Sequence, residues 1–383
     1  MVQMRSGSSS LSDPSNAVEQ IYDAVIQEQT SLVIIFCSGN YALSTLAESI
    51  QSKFADIPVV GCTTSGCIGR QGYQQQALVA CSFSNEAFEF STALIPEVTT
   101  FSYHKADAVV AQLRTELEVK QNSAINSEQM FAFQLIDGLC QREENFTQML
   151  ASALNGVALL GGSAGDNLKL ESTHVYYQGK FHNNAAVVVL GYTALPFSPF
   201  MIQHFKATEA RLVVTDSVPE KRMVKELNGL PAAEEYARHV GVDVTELTPE
   251  IFAAHPVLVK IGDSSFIRSI QQIGSDNSLV FFCAIDDGIV LNIAVAENII
   301  ENLQQEFQRL EECLGRVELT LGFDCIFRYL ELKNTGKLQD ASEVLCQHHF
   351  TGFNSYGEQY NATHVNQTLT GIAFGSGHGG EHG

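Results

Sequence analysis

Basic residues are scarce in this chain: 22 lysines and arginines stand against 43 aspartates and glutamates, a formal net charge of −21 over 383 residues. Such a balance repels phosphate backbones and anionic lipid, which argues against nucleic-acid binding and against a membrane partner. Long apolar runs are missing too; none reaches the roughly 18–20 residues that a membrane-crossing helix needs. The opening MVQMRSGSSSLSDPSN has no apolar core of the signal-peptide kind, so a cytoplasmic location is expected. The 9 cysteines never form a CxxC pair, and they read as reduced thiols, not as a disulfide framework or a zinc ribbon. HExxH, CxxCH and GxxxxGK are all absent, which removes the zincin motif, covalently attached haem and a Walker loop from consideration.

What is present is a well-packed globular composition, 45% hydrophobic, in a chain long enough to expect two domains. After a polar stretch (1–24) expected to be flexible, SLVIIFCSGN reads as a buried strand entering a Gly-Asn turn. A helix to about Phe54, a strand IPVVGC, the loop GCTTSGCIG and two further strands follow. The same order recurs about a hundred residues later, in MFAFQLIDG, REENFTQMLASAL, GVALLGGSAGDN and AAVVVLGY. Gly39 and Gly138, like Gly66 and Gly165, stand 99 apart, and Gly61 and Gly161 stand 100 apart. These offsets predict an internal duplication over about 31–95 and 128–192.

The second half has a different texture. ARLVVTDS and RMVKEL suggest paired strands, and NGLPAAEEYARHVG suggests a helix between Pro231 and Gly241. Ile300, Leu303, Phe307, Leu310 and Leu314 fall on one helical face that Gly315 closes. The fold class expected is α+β, with mixed sheets covered by helices and sheet edges that leave a homodimer open. The final GSGHGGEHG, within the tail at 375–383, has the composition of a mobile end.

Several groups stand out as chemistry. Thr63 and Thr64 beside Gly61, and Gly162, Ser163 and Asp166 in the repeated loop, offer hydroxyls and a carboxylate to a ligand; equally, they form turns. Cys62 could be a nucleophile only with a base that the sequence does not place nearby, so catalysis is not expected. Arg328 in DCIFRYLEL needs a carboxylate, and Glu358 is the obvious candidate; the alternative is that Arg328 clamps an anionic ligand that Glu358 and Gln359 orient. Tyr356, His364 and Asn366 belong to TGFNSYGEQYNATHVNQTLTG, whose density of hydrogen-bonding side chains beside a core strand suggests the lining of a cavity. His204, between Phe200 and Phe205, is either a satisfied core histidine or a metal ligand, with His364 as the alternative.

Taken in order, VVGCTTSGCIG, LLGGSAGDN, VKELNGLPAAEEYARHVG, DCIFR and TGFNSYGEQY…HVNQTLTG resemble the FIST family over about residues 25–374. The resemblance implies a duplicated mixed-sheet N domain (25–220) and a smaller α/β C domain (221–374) in a sensory protein. Its stand-alone bacterial branch further implies a non-covalent b-type haem that binds nitric oxide, and a partner histidine kinase. On that reading His204 or His364 ligates iron, while Arg328, Glu358, Tyr356 and Asn366 surround the cofactor. The other reading is a FIST module that binds a small molecule such as an amino acid, without haem.

Overall fold

The computed structural model describes residues 3–261 and 264–376; the tail from 377 onward lies outside the described residues. Two compact units emerge, and they cut the chain differently from the expected boundary near 220. One comprises the residues up to 201, then 303–363 and those from 369; the other comprises 202–302 with 364–368. Most of the expected C domain beyond residue 302 therefore belongs with the N-terminal half. The architecture is α+β, as expected, with helices against mixed sheets.

The first unit repeats one pattern three times, where the sequence suggested two. In each copy a first strand pairs in parallel with a second and antiparallel with a third. These are Thr30–Ser38 with Val59–Thr64 and Leu78–Ser84, then Met130–Ile136 with Ala158–Ser163 and Ala185–Thr193. The third set is Val317–Cys325 with Phe350–Ser355 and Leu369–Gly375. Register fixes the correspondence: Gly61 faces Ile35, Gly161 faces Gln134 and Gly352 faces Gly322. Glycine is required there, because a Cβ would lie 2.1 Å, 2.6 Å and 1.9 Å from the facing carbonyl oxygens. Residues 203–298 interrupt the third copy between its edge strand Phe197–Ile202 and its helix Ile299–Leu314, which hides its period in the sequence.

Each copy hands a small strand to a neighbour. Cys67–Gly69 of the first pairs with Phe350–Ser355 of the third. Val175–Tyr177 of the second pairs with Val59–Thr64 of the first, and Glu358–Tyr360 of the third pairs with Ala158–Ser163 of the second. Strand alternation explains how the layers form. Leu32, Ile34 and Phe36, with Phe131, Phe133, Leu135, Leu319, Leu321 and Phe323, fill one central core. Val33, Ile35 and Cys37 turn to the helices of the first copy. Ala132 and Ile136 do so in the second.

Within the segment 1–24, residues 4–24 are not the flexible lead expected. Met4–Ser9 pairs antiparallel with Leu78–Ser84. Asp13 then caps helix Pro14–Val25, which buries Ala17, Val18, Ile21 and Val25. Serines small enough to pack at the sheet edge, with Ser6 and Ser9 buried, gave this segment its misleading composition.

The second unit carries an eight-stranded sheet in which Phe205–Val218 pairs with both Met223–Leu227 and Val290–Ala296. Helix Ala232–Val240 runs from Pro231 to Gly241, whose φ of +87° supplies the left-handed cap. Its Tyr236 packs with Leu212, Val214, Phe281 and Leu291.

Candidate functional site

In the third copy the face turned to the helices is not apolar. Thr320, Gly322 and Asp324 alternate with Leu319, Leu321 and Phe323, which puts a carboxylate at the strand end. Helix Ile326–Asn334 starts at once and carries Arg328. Its Nε donates to Asp324 Oδ1 at 2.7 Å, both side chains being within 1% of full burial. Tyr73, on the hairpin from the first copy, donates its hydroxyl to Asp324 Oδ2 at 2.7 Å, and Asn354 Nδ2 donates to the same oxygen at 3.4 Å. The carboxylate on Arg328 Nε is therefore Asp324. Burial pushes the Asp324 carboxyl up while Arg328 and Tyr73 pull it back. Burial likewise opposes the Arg328 charge, but Asp324 and Tyr73 outweigh it and raise the guanidinium pKa further.

Glu358 instead accepts a short hydrogen bond from Ser355 Oγ. Gln359 Nε2 donates to Ser163 Oγ at 3.0 Å. Tyr356 donates a short bond to the Asp166 carboxylate, and its oxygen accepts from the Leu168 N–H at 2.8 Å. Asp166 also accepts from the N–H groups of Leu170, Glu171 and Ser172. Burial raises the Asp166 carboxyl, yet Tyr356 and these backbone donors win and hold it below its usual range. Thr63 Oγ1 accepts from the His174 N–H at 3.0 Å, and Thr64 Oγ1 donates to the Cys37 carbonyl at 3.1 Å.

The backbones of the three post-strand loops bind one another as well. Ser65 N–H donates to Asn354 O, Gly165 N–H to Thr63 O and Tyr356 N–H to Ser163 O. The structure thus places Gly61, Thr63, Thr64, Gly162, Ser163, Asp166, Tyr356, Glu358 and Arg328 in the first unit, where their polar side chains bind neighbouring protein groups. Asp324 and Tyr73 were missed in the sequence; an aspartate four residues before Arg328, in DCIFR, was the available signal for the first. Cys62 and Cys67 are buried, and burial pushes both thiols up, Cys67 to about 12, so neither is a ready nucleophile.

His204, His364 and Asn366 fall in the second unit. His204 is wholly buried, with its ring centroid 4.3 Å from that of Phe205. The His364 carbonyl accepts from Arg268 Nη1 at 3.3 Å. Neither histidine side chain borders the cavities of about 610 and 490 Å³ in the first unit, and neither residue is without a partner in the protein. Among the described residues no cluster of His, Cys, Asp and Glu could hold a metal ion. His204 is covered by Phe205, and the Arg328 expected to balance propionates is bound to Asp324.

Asn366 is different. It is 0% exposed, and among the described residues neither its Oδ1 nor its Nδ2 has a hydrogen-bond partner. Gln367 Nε2 beside it and Ser269 Oγ, in the same unit, are also buried and unpaired. Counted back from the third strand of each copy, Gln75 and Asn183 hold the corresponding places and are exposed, so the repeat does not impose this burial.

The family model of the FIST N domain matches residues 31–230, and that of the FIST C domain matches residues 232–361. The chain belongs to the FIST family. FIST domains are sensor modules that bind small ligands in signalling proteins. The FIST C match spans parts of both compact units, so the family boundary is one of sequence and not of packing. No curated protein matches the chain. Among solved structures, that of PurLQS from Thermotoga maritima aligns over 97% of this chain and 72% of its own at 9% identity and a TM-score of 0.21, a likeness too slight to carry an argument. No helix among the described residues is long and apolar enough to cross a membrane.

Proposed function

We propose that this FIST protein is a signalling sensor that holds a small polar molecule at the segment 364–368, through the Asn366 amide, and passes its occupancy to a partner protein. The sequence resemblance suggests a histidine kinase as that partner. What supports the reading is the Asn366 side chain. Leaving a buried amide unpaired costs on the order of 1–3 kcal/mol per group. A ligand presenting an acceptor to Nδ2 and a donor to Oδ1 removes that cost, and Arg268, bound to the His364 carbonyl, sets positive charge beside the same segment. No catalytic step is involved.

The competing reading is a b-type haem protein like the nitric-oxide sensor NosP, with iron on His204 or His364; it rests on the likeness of the GFNSYGEQ…HVNQTLTGIA segment. One experiment separates the two. The purified chain is screened for ligand-induced thermal stabilisation, and its absorption is recorded with haem before and after nitric oxide. A ligand that stabilises the wild type but not Asn366→Leu supports the small-molecule sensor. A stoichiometric Soret band that shifts with the gas, and is lost in His204→Ala or His364→Ala, replaces it with the haem sensor.

A further inference from the structure

The cavity of about 610 Å³ in the first unit lies where the C-terminal end of helix Leu43–Phe54 meets the turn of the hairpin that the second copy gives to the first sheet. Ile50, Phe54, Ile57 and Val59 supply hydrocarbon wall. Tyr176, Tyr177 and Lys180 border it from the hairpin, and Asp56 borders it from the helix end. Tyr177 is pinned by its hydroxyl, which donates to the Thr92 carbonyl at 3.1 Å.

The pseudo-threefold pattern makes this cavity a comparison in itself. At the corresponding place in the second copy, Gln148, Gly156, Val157 and Asn361 border a cavity of about 490 Å³ with no charged side chain. In the third copy the turn is packed shut. A Cβ on Gly72 would lie 2.3 Å from Ser342 Cβ, and Cys346 Sγ approaches the Arg70 carbonyl at 3.2 Å. A bare consequence of the fold would look alike three times. Only the first copy combines an apolar wall, phenols and a lysine.

The geometry points to a binding site for a small aromatic monocarboxylate in this cavity. The flat body lies on Ile50, Phe54 and Ile57, and the carboxylate takes its donor from the Lys180 ammonium. A second anionic group meets Asp56 and the carbonyl end of the helix, both repulsive, which restricts the class to single anions. The bound molecule touches the helix of the first copy and the hairpin of the second together, so it favours the joined arrangement. This site shares no residue with segment 364–368 and stands whether or not that segment binds a ligand.

The test uses the full chain with phenylacetate, 2-phenylethylamine and 1,4-phenylenediacetate as probes, followed by calorimetry and ligand-observed saturation transfer. Phenylacetate is expected to saturate one site per chain and to bind at least tenfold tighter than the amine or the dianion. Lys180 is exposed, so Lys180→Glu folds, and it is expected to weaken phenylacetate at least tenfold. Ile57→Trp fills the cavity and abolishes binding; the chain has no tryptophan of its own, so its emission also reports whether that variant has folded. Asn366→Leu leaves phenylacetate binding unchanged. Equal binding of acid and amine, or unaltered affinity in Lys180→Glu, overturns the assignment.

Discussion

Replacing Asn366 by leucine should make the empty protein more stable and insensitive to its ligand. Leucine keeps the branched heavy-atom outline while removing an oxygen and a nitrogen that are buried and unpaired. Removing two such groups returns roughly 2–4 kcal/mol, and the bulk of two methyls in a closed site takes back about 1–2 kcal/mol. A net gain of about 1–2 kcal/mol is expected. With a melting entropy near 0.8 kcal/mol/K for a chain of 383 residues, that gain is a rise of about 2 °C. Calorimetry in ligand-free buffer, repeated as urea melts, reads it directly. Asn366→Ala is the control, since it removes the same atoms but leaves a void and should gain less or nothing. A leucine variant that loses more than about 1 kcal/mol, as alanine would at a paired asparagine, refutes the reasoning, because the amide must then have a partner in the empty protein.

Arg328→Met strands the buried Asp324 carboxylate and should cost about 3–5 kcal/mol in urea melts, while the pair Arg328→Met with Asp324→Leu should recover most of it. Equal losses in single and double variants would show that the ion pair is not what holds helix Ile326–Asn334 to its sheet. Gly352→Ala places a Cβ 1.9 Å from the Gly322 oxygen, and the variant should fail to accumulate as folded protein; a normal circular-dichroism melt would contradict the register given above. Glu235 is held at about 2, first by Arg238, with Asn228 and His239 adding to overcome its burial. A carboxyl lowered on folding stabilises fully above its unfolded value, near 4.3, and that contribution fades as pH falls towards about 2. Glu235→Gln should therefore flatten the urea midpoint between about pH 5 and 2, removing on the order of 2 kcal/mol of pH dependence.

Much of the fold could be read from local pattern. The helix ending at Phe54, the helix between Pro231 and Gly241 and the helix ending at Leu314 all follow from apolar spacing and their stops. Glycine offsets disclosed two copies. The third escaped because about a hundred residues enter it and because Thr320, Gly322 and Asp324 stand where the first copy has Val33, Ile35 and Cys37. Its own signal was there: Gly352 and Gly357 repeat the five-residue step of Gly61 and Gly66. The Asp324 partner of Arg328 was missed for a similar reason. A strand running straight into a helix brings the residue four positions back beneath the guanidinium, and only the backbone path reveals that. The segment 351–374 was rightly noticed as polar, yet composition could not separate Glu358 and Tyr356, which bind their neighbours, from Asn366, whose side-chain amide has no partner among the described residues.

The exchange of hairpins has a consequence for how the chain can be made and cut. The strand Cys67–Gly69 finds its partner Phe350–Ser355 only after nearly the whole sequence has been synthesised. Such distant pairing favours slow folding, with the first copy's edge waiting unpaired in the meantime. Scissors set at the family boundary, after residue 230, would leave that edge permanently without its partner and the second sheet without Glu358–Tyr360. For a biochemist wanting a smaller piece, the severable part is the loop of chain in the middle, not either end.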